Sequence, residues 1–71
     1  MRIQDASQVG AELRRRRSAL RLSQQAVADA IGVNRRVVGE LERGKTSVRF
    51  EIVLAAAQAV GLDVELHARE R

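Results

Sequence analysis

The chain has 71 residues, with 13 Lys or Arg against nine Asp or Glu, a net charge of +4 and a pI of about 11.3. One small domain over residues 1–71 is expected, and the absence of Cys together with a single His excludes disulfides, a metal cluster and a Ser/His or Cys/His catalytic pair. We therefore expect no enzyme, metal or cofactor, and the basic charge with only one aromatic residue favours duplex DNA over single strands as the partner.

The first predicted element is a helix that follows a short N-terminal arm or edge strand at residues 1–4. Asp5 is its predicted N-cap, with Gln8 at capping-box spacing, and the helix is expected to run to about Leu20. Its predicted apolar face consists of Val9, Leu13 and Leu20. Gly10 is unfavourable inside a helix by about 0.5–1 kcal/mol relative to Ala, which predicts a close helix contact there.

Four consecutive arginines, Arg14–Arg17, lie in the second half of this helix. Consecutive helical residues point in different directions, so the run does not form a single DNA-binding stripe. Arg14 is a candidate phosphate contact, whereas Arg15 and Arg16 are either DNA contacts or part of a solvated face. Residues 1–22 carry six Arg and two acidic residues, while 23–44 carry three of each sign, so the basic excess lies outside the central region.

The stretch 22–45, LSQQAVADAIGVNRRVVGELERGK, predicts two short helices joined by a tight turn. Ser23 caps the first, which ends at Gly32 because Gly adopts a left-handed conformation without steric cost. Asn34 caps the second, which ends at Gly44. Their predicted apolar positions are Val27, Ala28 and Ile31, then Val37, Val38 and Leu41.

A fourth helix is predicted from about Val48 to Val60, with Gly61 as its end. Its predicted apolar face contains Phe50, Val53, Leu54, Ala57 and Val60. Residues 63–68 then alternate polar and apolar side chains, which predicts a half-buried strand. A lone strand leaves backbone groups unpaired, so we expect it to pair with the same strand of a second copy. The predicted dimerisation residues are Val64, Leu66 and Ala68.

The arrangement of these residues resembles the Cro/C1-type (XRE) helix-turn-helix regulators. Gln24 opens the first motif helix, Ala28 is the small residue at the helix crossing, Gly32 makes the turn, and residues 42–45 resemble the family's E-x-G-K ending. The resemblance covers nearly the whole chain. It implies an all-α, lambda-repressor-like domain of four to five helices with the motif at about 23–45. The ending GLDVELHAR further resembles HipB-type antitoxins.

The resemblance also implies a DNA-binding surface on the second motif helix, whose N-terminal part would meet base edges in the major groove. Arg35, Arg36 and Glu40 fall where phage repressors of this family place base-reading side chains. Arg suits guanine O6 and N7, whereas Glu40 is either a cytosine acceptor or an exposed partner of Arg36. The full set of predicted DNA-binding residues is Gln24, Asn34, Arg35, Arg36, Gly39, Glu40, Arg43 and Lys45.

Within that set, Gln24 matches the family's phosphate contact at a helix N-terminus. Arg43 and Lys45 are expected to contact phosphates beyond the recognition helix, with a role in solubility alone as the alternative. Gly39 lacks a side chain on the predicted exposed face, which would let the backbone or neighbouring side chains approach a thymine methyl or a phosphate closely.

Two scaffold features follow from the same resemblance. Arg17 resembles the family arginine that pairs with the residue equivalent to Glu42, so it is expected to be structural rather than a DNA contact. The family usually has Gly where this chain has Arg21. If the turn is retained, Arg21 must adopt a positive φ, which is uncommon for a residue with a side chain.

The expected function is sequence-specific double-stranded DNA binding by a homodimeric transcriptional repressor at a palindromic operator. The sequence has no apolar run of about 18 residues and no apolar signal core, so a cytoplasmic location is expected. The HipB-type resemblance implies an antitoxin that represses its own operon and binds a HipA-like serine/threonine kinase toxin. Three alternatives stay open: a toxin-neutralising interaction module without specific DNA recognition, a phage-type or other XRE regulator unrelated to a toxin, and a non-specific nucleoid-type binder.

Overall fold

The computed structural model describes residues 3–69, so the predicted arm at 1–4 lies partly outside the described residues. The described chain forms four helices: α1 (Ala6–Ala19), α2 (Gln24–Ile31), α3 (Arg35–Glu42) and α4 (Phe50–Ala59). The predicted all-α class and the order of the helices are confirmed. Over residues 3–69, every helix is too short or too polar to cross a membrane.

The first three helices begin where the sequence supplies a capping side chain. In each, a side-chain oxygen accepts a hydrogen bond from a first-turn backbone N–H, at 3.0, 2.9 and 2.8 Å in chain order. The capping residues are Asp5, Ser23 and Asn34. These bonds satisfy N–H groups that have no partner inside the helix, which fixes where each helix starts.

The α1–α2 connection is a left-handed turn at Arg21, whose φ is 59°. The Arg21 N–H donates to Ser18 O at 3.0 Å and the Leu22 N–H donates to Arg17 O at 3.1 Å, which closes the end of the helix. The predicted positive φ is therefore confirmed. An arginine here costs more than the glycine usual in the family, because a Cβ clashes with the backbone in this conformation.

The core lies where α2 packs against both α3 and α4, while α1 packs on α3. Ala28 is completely buried, which allows the motif helices to approach each other closely. The buried hydrophobic residues are Leu13, Val27, Ala28, Val38, Leu41, Ala56, Ala57 and Val60. Because both α2 and α3 supply core residues, α3 is held as part of the rigid body of the domain.

A close backbone contact between α1 and α3 occurs at Gly10. A Cβ on Gly10 would lie 2.6 Å from the Glu42 carbonyl oxygen and closer still to that of Leu41. Real Cβ atoms essentially never approach other atoms this closely. The predicted helix contact at Gly10 is thus confirmed, and α1 lies directly against the last turn of α3.

Two residues assigned to the apolar faces are exposed instead. Leu20 is 42% exposed because α1 ends at Ala19, so its side chain lies past the helical face. Phe50 is 65% exposed and is the first residue of α4. Helical side chains tilt toward the N-terminus, so a residue at the first position projects beyond the packed part of the helix.

The chain after α4 forms neither helix nor strand over residues 62–69. The strand predicted at 63–68, with one face half-buried, is not formed within a single chain. Val64 is 52% and Leu66 94% exposed, and Ala68 is also exposed. A strand needs a neighbour for its backbone hydrogen bonds, so pairing with a second copy stays a prediction.

Candidate nucleic-acid interface

The N-terminal turn of α3 carries three exposed polar side chains, Asn34, Arg35 and Arg36. The Asn34 side-chain oxygen accepts the Arg36 backbone N–H at 2.8 Å, which leaves its amide N–H groups for other partners. Within residues 3–69, neither Arg35 nor Arg36 forms a side-chain hydrogen bond or ion pair with the protein. Two exposed arginines without a described protein partner therefore lie in the first turn of α3.

Glu40 pairs with Lys45, and not with Arg36, which was one of the two alternatives for this residue. The Lys45 Nζ lies 2.7 Å from Glu40 Oε2, and the Lys45 backbone N–H also donates to Glu40 O at 3.0 Å. The hydrogen bond from Lys45, followed by the charges of Arg36 and Arg43, lowers the pKa of the Glu40 carboxyl. A base contact by Glu40 or a phosphate contact by Lys45 would require this partly exposed pair to open, which is inexpensive at a wet surface.

Arg17 and Glu42 form the predicted structural pair between α1 and α3. Arg17 Nε and Nη2 lie 2.6 and 3.0 Å from the two Glu42 carboxylate oxygens, and Arg17 Nη1 donates to Leu22 O at 2.8 Å. The two side chains are only 14% and 5% exposed. Burial acts to raise the pKa of Glu42, but the hydrogen bonds from Arg17 and Gln24 outweigh it and leave that pKa below its ordinary value.

Gln24 is tied into the same network at the start of α2. Its Nε2 donates to Glu42 Oε1 at 3.1 Å, and its side chain is half-buried. The amide nitrogen carries a second N–H that can still donate to an anion. The residue predicted to contact phosphate is therefore oriented by Glu42, a connection that sequence spacing alone does not reveal.

A polar cleft lies between α1, the start of α2 and α3. Its lining residues are Arg14, Arg17, Gln24, Gly39, Glu42 and Arg43. Three arginines against one glutamate give the cleft a net charge of +2. In the described part of the chain, Arg14 and Arg43 have no hydrogen-bonded or ion-paired protein partner. Gly39 was expected to be exposed, yet it is buried beneath the Arg43 and Gln24 side chains.

The two other arginines of α1 are engaged in local structure. Arg15 pairs with Glu12 one helical turn earlier. Arg16 Nε donates to the Val60 carbonyl oxygen at 2.9 Å, and its guanidinium lies next to Gly61. The role of Arg16 was not predicted, because its acceptor is a backbone oxygen 44 residues away that carries no side-chain signal.

The comparisons with known proteins agree with this architecture. Residues 8–69 match the family model described as a helix-turn-helix domain. The chain is 36% identical to the restriction-modification controller protein C.AhdI from Aeromonas hydrophila, with 83% of this chain and 86% of that chain covered and a TM-score of 0.73. It is similar in fold to structures titled HipA-HipB-O2-O3 complex and HipB-O4 20mer complex, with 16% identity, 99% of both chains covered and TM-scores of 0.89 and 0.88. A comparison with curated proteins found no match.

Proposed function

The chain belongs to the helix-turn-helix domain family, as its Cro/C1-type resemblance predicted, and we propose that it is a double-stranded DNA-binding regulator of transcription that reads base edges with α3. The supporting observation is the pair Arg35 and Arg36, exposed and without a protein partner in the described residues. A helix fits the major groove, where an arginine meets guanine O6 and N7 with two parallel hydrogen bonds.

The charged and amide side chains around α3 would contact the phosphate backbone of the DNA on either side of that helix. Gln24, Arg14 and Arg43 lie around the polar cleft, and Lys45 follows α3. Contacts from such side chains to phosphates set the register of the protein on the duplex but carry no sequence information. Specificity is therefore assigned to Arg35 and Arg36, with Asn34 and Glu40 as further candidates, and affinity to the cleft residues.

The test is selection of duplexes by the full chain from a random-sequence library, followed by fluorescence anisotropy. A selected duplex and a shuffled duplex of the same composition are compared at physiological salt. Specific binding predicts at least about a 10³-fold difference in affinity. Equal affinity for both would indicate a nucleoid-type binder, and the absence of binding to either would leave a protein-interaction module.

We further propose that the regulator acts as a two-fold dimer paired through residues 63–68. The supporting observation is that Val64 and Leu66 are 52% and 94% exposed in one chain, although both are apolar. Two recognition helices related by two-fold symmetry would meet successive major grooves on one DNA face if they lie about 34–36 Å apart. The proposed operator is accordingly palindromic.

Sedimentation of the full chain at micromolar concentration tests the dimer. Leu66→Asp should give a monomer that binds the selected duplex far more weakly, while Glu65→Lys, on the other side of the alternating segment, should remain dimeric. Deletion of the residues after Gly61 should resemble Leu66→Asp. A full chain that sediments only as a monomer would rule out strand pairing and the palindromic operator together.

Two more specific regulatory roles are candidates. The fold likeness to HipB supports an autoregulating antitoxin that binds a HipA-like serine/threonine kinase. The 36% identity to C.AhdI supports a controller of a restriction-modification operon instead. The neighbouring reading frames discriminate between them: a kinase-like frame supports the first, and an endonuclease or methyltransferase frame supports the second.

A further inference from the structure

Gly39 lies in the middle of α3, the helix assigned to DNA recognition. Apart from proline, glycine is the least favourable residue in a helix interior. The α3 φ angle at this position is not in the left-handed range, so no turn requires glycine here. The reason for a glycine must lie in what covers it.

The side chains of Arg43 and Gln24 cover Gly39. A Cβ at this position would lie 3.2 Å from Arg43 Nη1, and 3.7 and 3.8 Å from the Gln24 Oε1 and Nε2 atoms. Residues 39 and 43 are four apart and share a helix face, so the Arg43 side chain folds back over the bare backbone of Gly39. The amide distances are ordinary contacts, whereas the approach to Arg43 is tighter than nine in ten real Cβ contacts.

The two covering groups are held in different ways. The Gln24 amide is fixed by its hydrogen bond to Glu42, which Arg17 holds in turn. Arg43 makes no hydrogen bond or ion pair within residues 3–69, so its guanidinium keeps all its donors for an outside partner. Its position next to Gln24 depends on the space that Gly39 leaves.

We infer that Gly39 is a positioning residue, which places the Arg43 guanidinium beside the Gln24 amide so that both bind one DNA backbone phosphate. The Arg43 guanidinium and the Gln24 amide both lie within 3.8 Å of the position that a Cβ on Gly39 would occupy. The two groups are therefore close enough for a single phosphate to accept hydrogen bonds from both. The cleft's net positive charge and the free donors of Arg43 suit that anion. This inference rests on the proposed DNA binding, and it replaces a direct approach of DNA to the Gly39 backbone.

Gly39→Ala separates stability from binding. The flexible Arg43 terminus can move aside, so the helix gains the higher propensity of Ala and the Tm should rise by about 4–8 °C. The displaced Arg43 should lose its contact with the DNA phosphate, so the affinity for a selected duplex should fall about tenfold. The slope of log K against log salt, measured between about 50 and 200 mM, should become shallower by about 0.9. Base preference should not change.

Arg43→Ala alone should give the same loss of affinity and slope, and adding Gly39→Ala to it should cause no further loss. Ser18→Ala, on the exposed side of α1, is the matched control: it should raise the Tm slightly and leave binding unchanged. Wild-type affinity and salt slope in Gly39→Ala would overturn the inference. So would an additional loss in the double variant, which would indicate that DNA approaches residue 39 itself. A wild-type chain that binds no duplex would instead overturn the proposed function.

Discussion

The arginines of α1 and those of α3 differ in what they contact, although both groups are prominent in the sequence. In α1, Arg15, Arg16 and Arg17 donate to Glu12, to the Val60 carbonyl and to Glu42. In α3, Arg35 and Arg36 have no protein partner within residues 3–69. The segment with the larger positive charge is therefore mainly structural. Among the α1 arginines, Arg14 also lacks a protein partner within residues 3–69, but the electrically neutral segment 23–44 supplies three such arginines, Arg35, Arg36 and Arg43. Net charge along a sequence therefore does not show which cationic side chains are free.

The largest expected effect is the loss of the Arg17–Glu42 pair. Arg17→Ala leaves a nearly buried carboxylate without its partner and should lower the free energy of unfolding by about 3 kcal/mol. A double-mutant cycle with Glu42→Ala, measured by urea unfolding, should give a coupling of about 0.5–3 kcal/mol. Additive losses would mean that the two side chains are not energetically coupled. Arg17 would then have no structural role that distinguishes it from the α3 arginines.

Arg35→Ala and Arg36→Ala should show the opposite behaviour. Stability should stay within about 0.5 kcal/mol of the wild type, because exposed groups without protein partners contribute little to folding. Binding to a selected duplex should weaken by about 1–3 kcal/mol, with relaxed preference at one base pair for each arginine. If affinity instead falls equally on selected and shuffled duplexes, these arginines contact phosphates and do not read bases.

Arg16 and Arg15 provide a matched pair on adjacent positions of α1. Arg16→Ala removes the charged hydrogen bond that ties α1 to the end of α4, and should lower stability by about 1.5 kcal/mol. Arg15→Ala breaks only an exposed ion pair with Glu12 and should cost less than about 0.5 kcal/mol. Thermal unfolding monitored by circular dichroism measures both. Equal losses of stability in the two variants would show that the Arg16–Val60 hydrogen bond stabilises the fold no more than the exposed Arg15–Glu12 pair does.

The smallest expected effect is on the loss of stability at acid pH. Several carboxylates contribute to that loss, so removing one of them changes it only slightly. The pKa of Glu42 is lower in the folded chain than the ordinary value of about 4.3, so its contribution is complete above that pH and is lost as the pH falls through the folded pKa. Glu42→Gln should therefore flatten the decline in stability below about pH 4.3. Glu12→Gln provides the comparison: the hydrogen bond from Arg15 also lowers the pKa of Glu12, but this pair is more exposed than Arg17–Glu42, so the flattening should be smaller. An unchanged acid profile in Glu42→Gln would show that the pair is not stabilised by charge.

Helix positions were predictable because their determinants are local. Asp5, Ser23 and Asn34 accept hydrogen bonds from the first turns that follow them, and Gly32 ends α2 in the left-handed conformation. These signals need only three or four neighbouring residues. The Arg17–Glu42 pair, which spans 25 residues, was predicted only because of the family resemblance.

The errors share a different cause. The exposure of Phe50 depends on where α4 packs, which periodicity does not specify. The burial of Gly39 depends on a neighbour's side chain folding back over it. The acceptor of Arg16 is a backbone carbonyl on another helix, so no residue type marks it. Local pattern thus identified the four helices, and the family resemblance singled out the α3 arginines, whereas tertiary contacts decided which polar side chains were already engaged.

The Gly10 contact has a consequence for how such a protein can change over generations. The neighbours of Gly10 are the carbonyl oxygens of Leu41 and Glu42, so no second substitution can trim a side chain to make room for a larger residue. Any residue with a side chain at this position must push α3 away from α1. Arg35 and Arg36, in contrast, are exposed, so a substitution at either position leaves the packing of the helices unchanged. Under the proposed function, base preference can therefore change by point mutation at Arg35 and Arg36 while the contact between α1 and α3 stays the same.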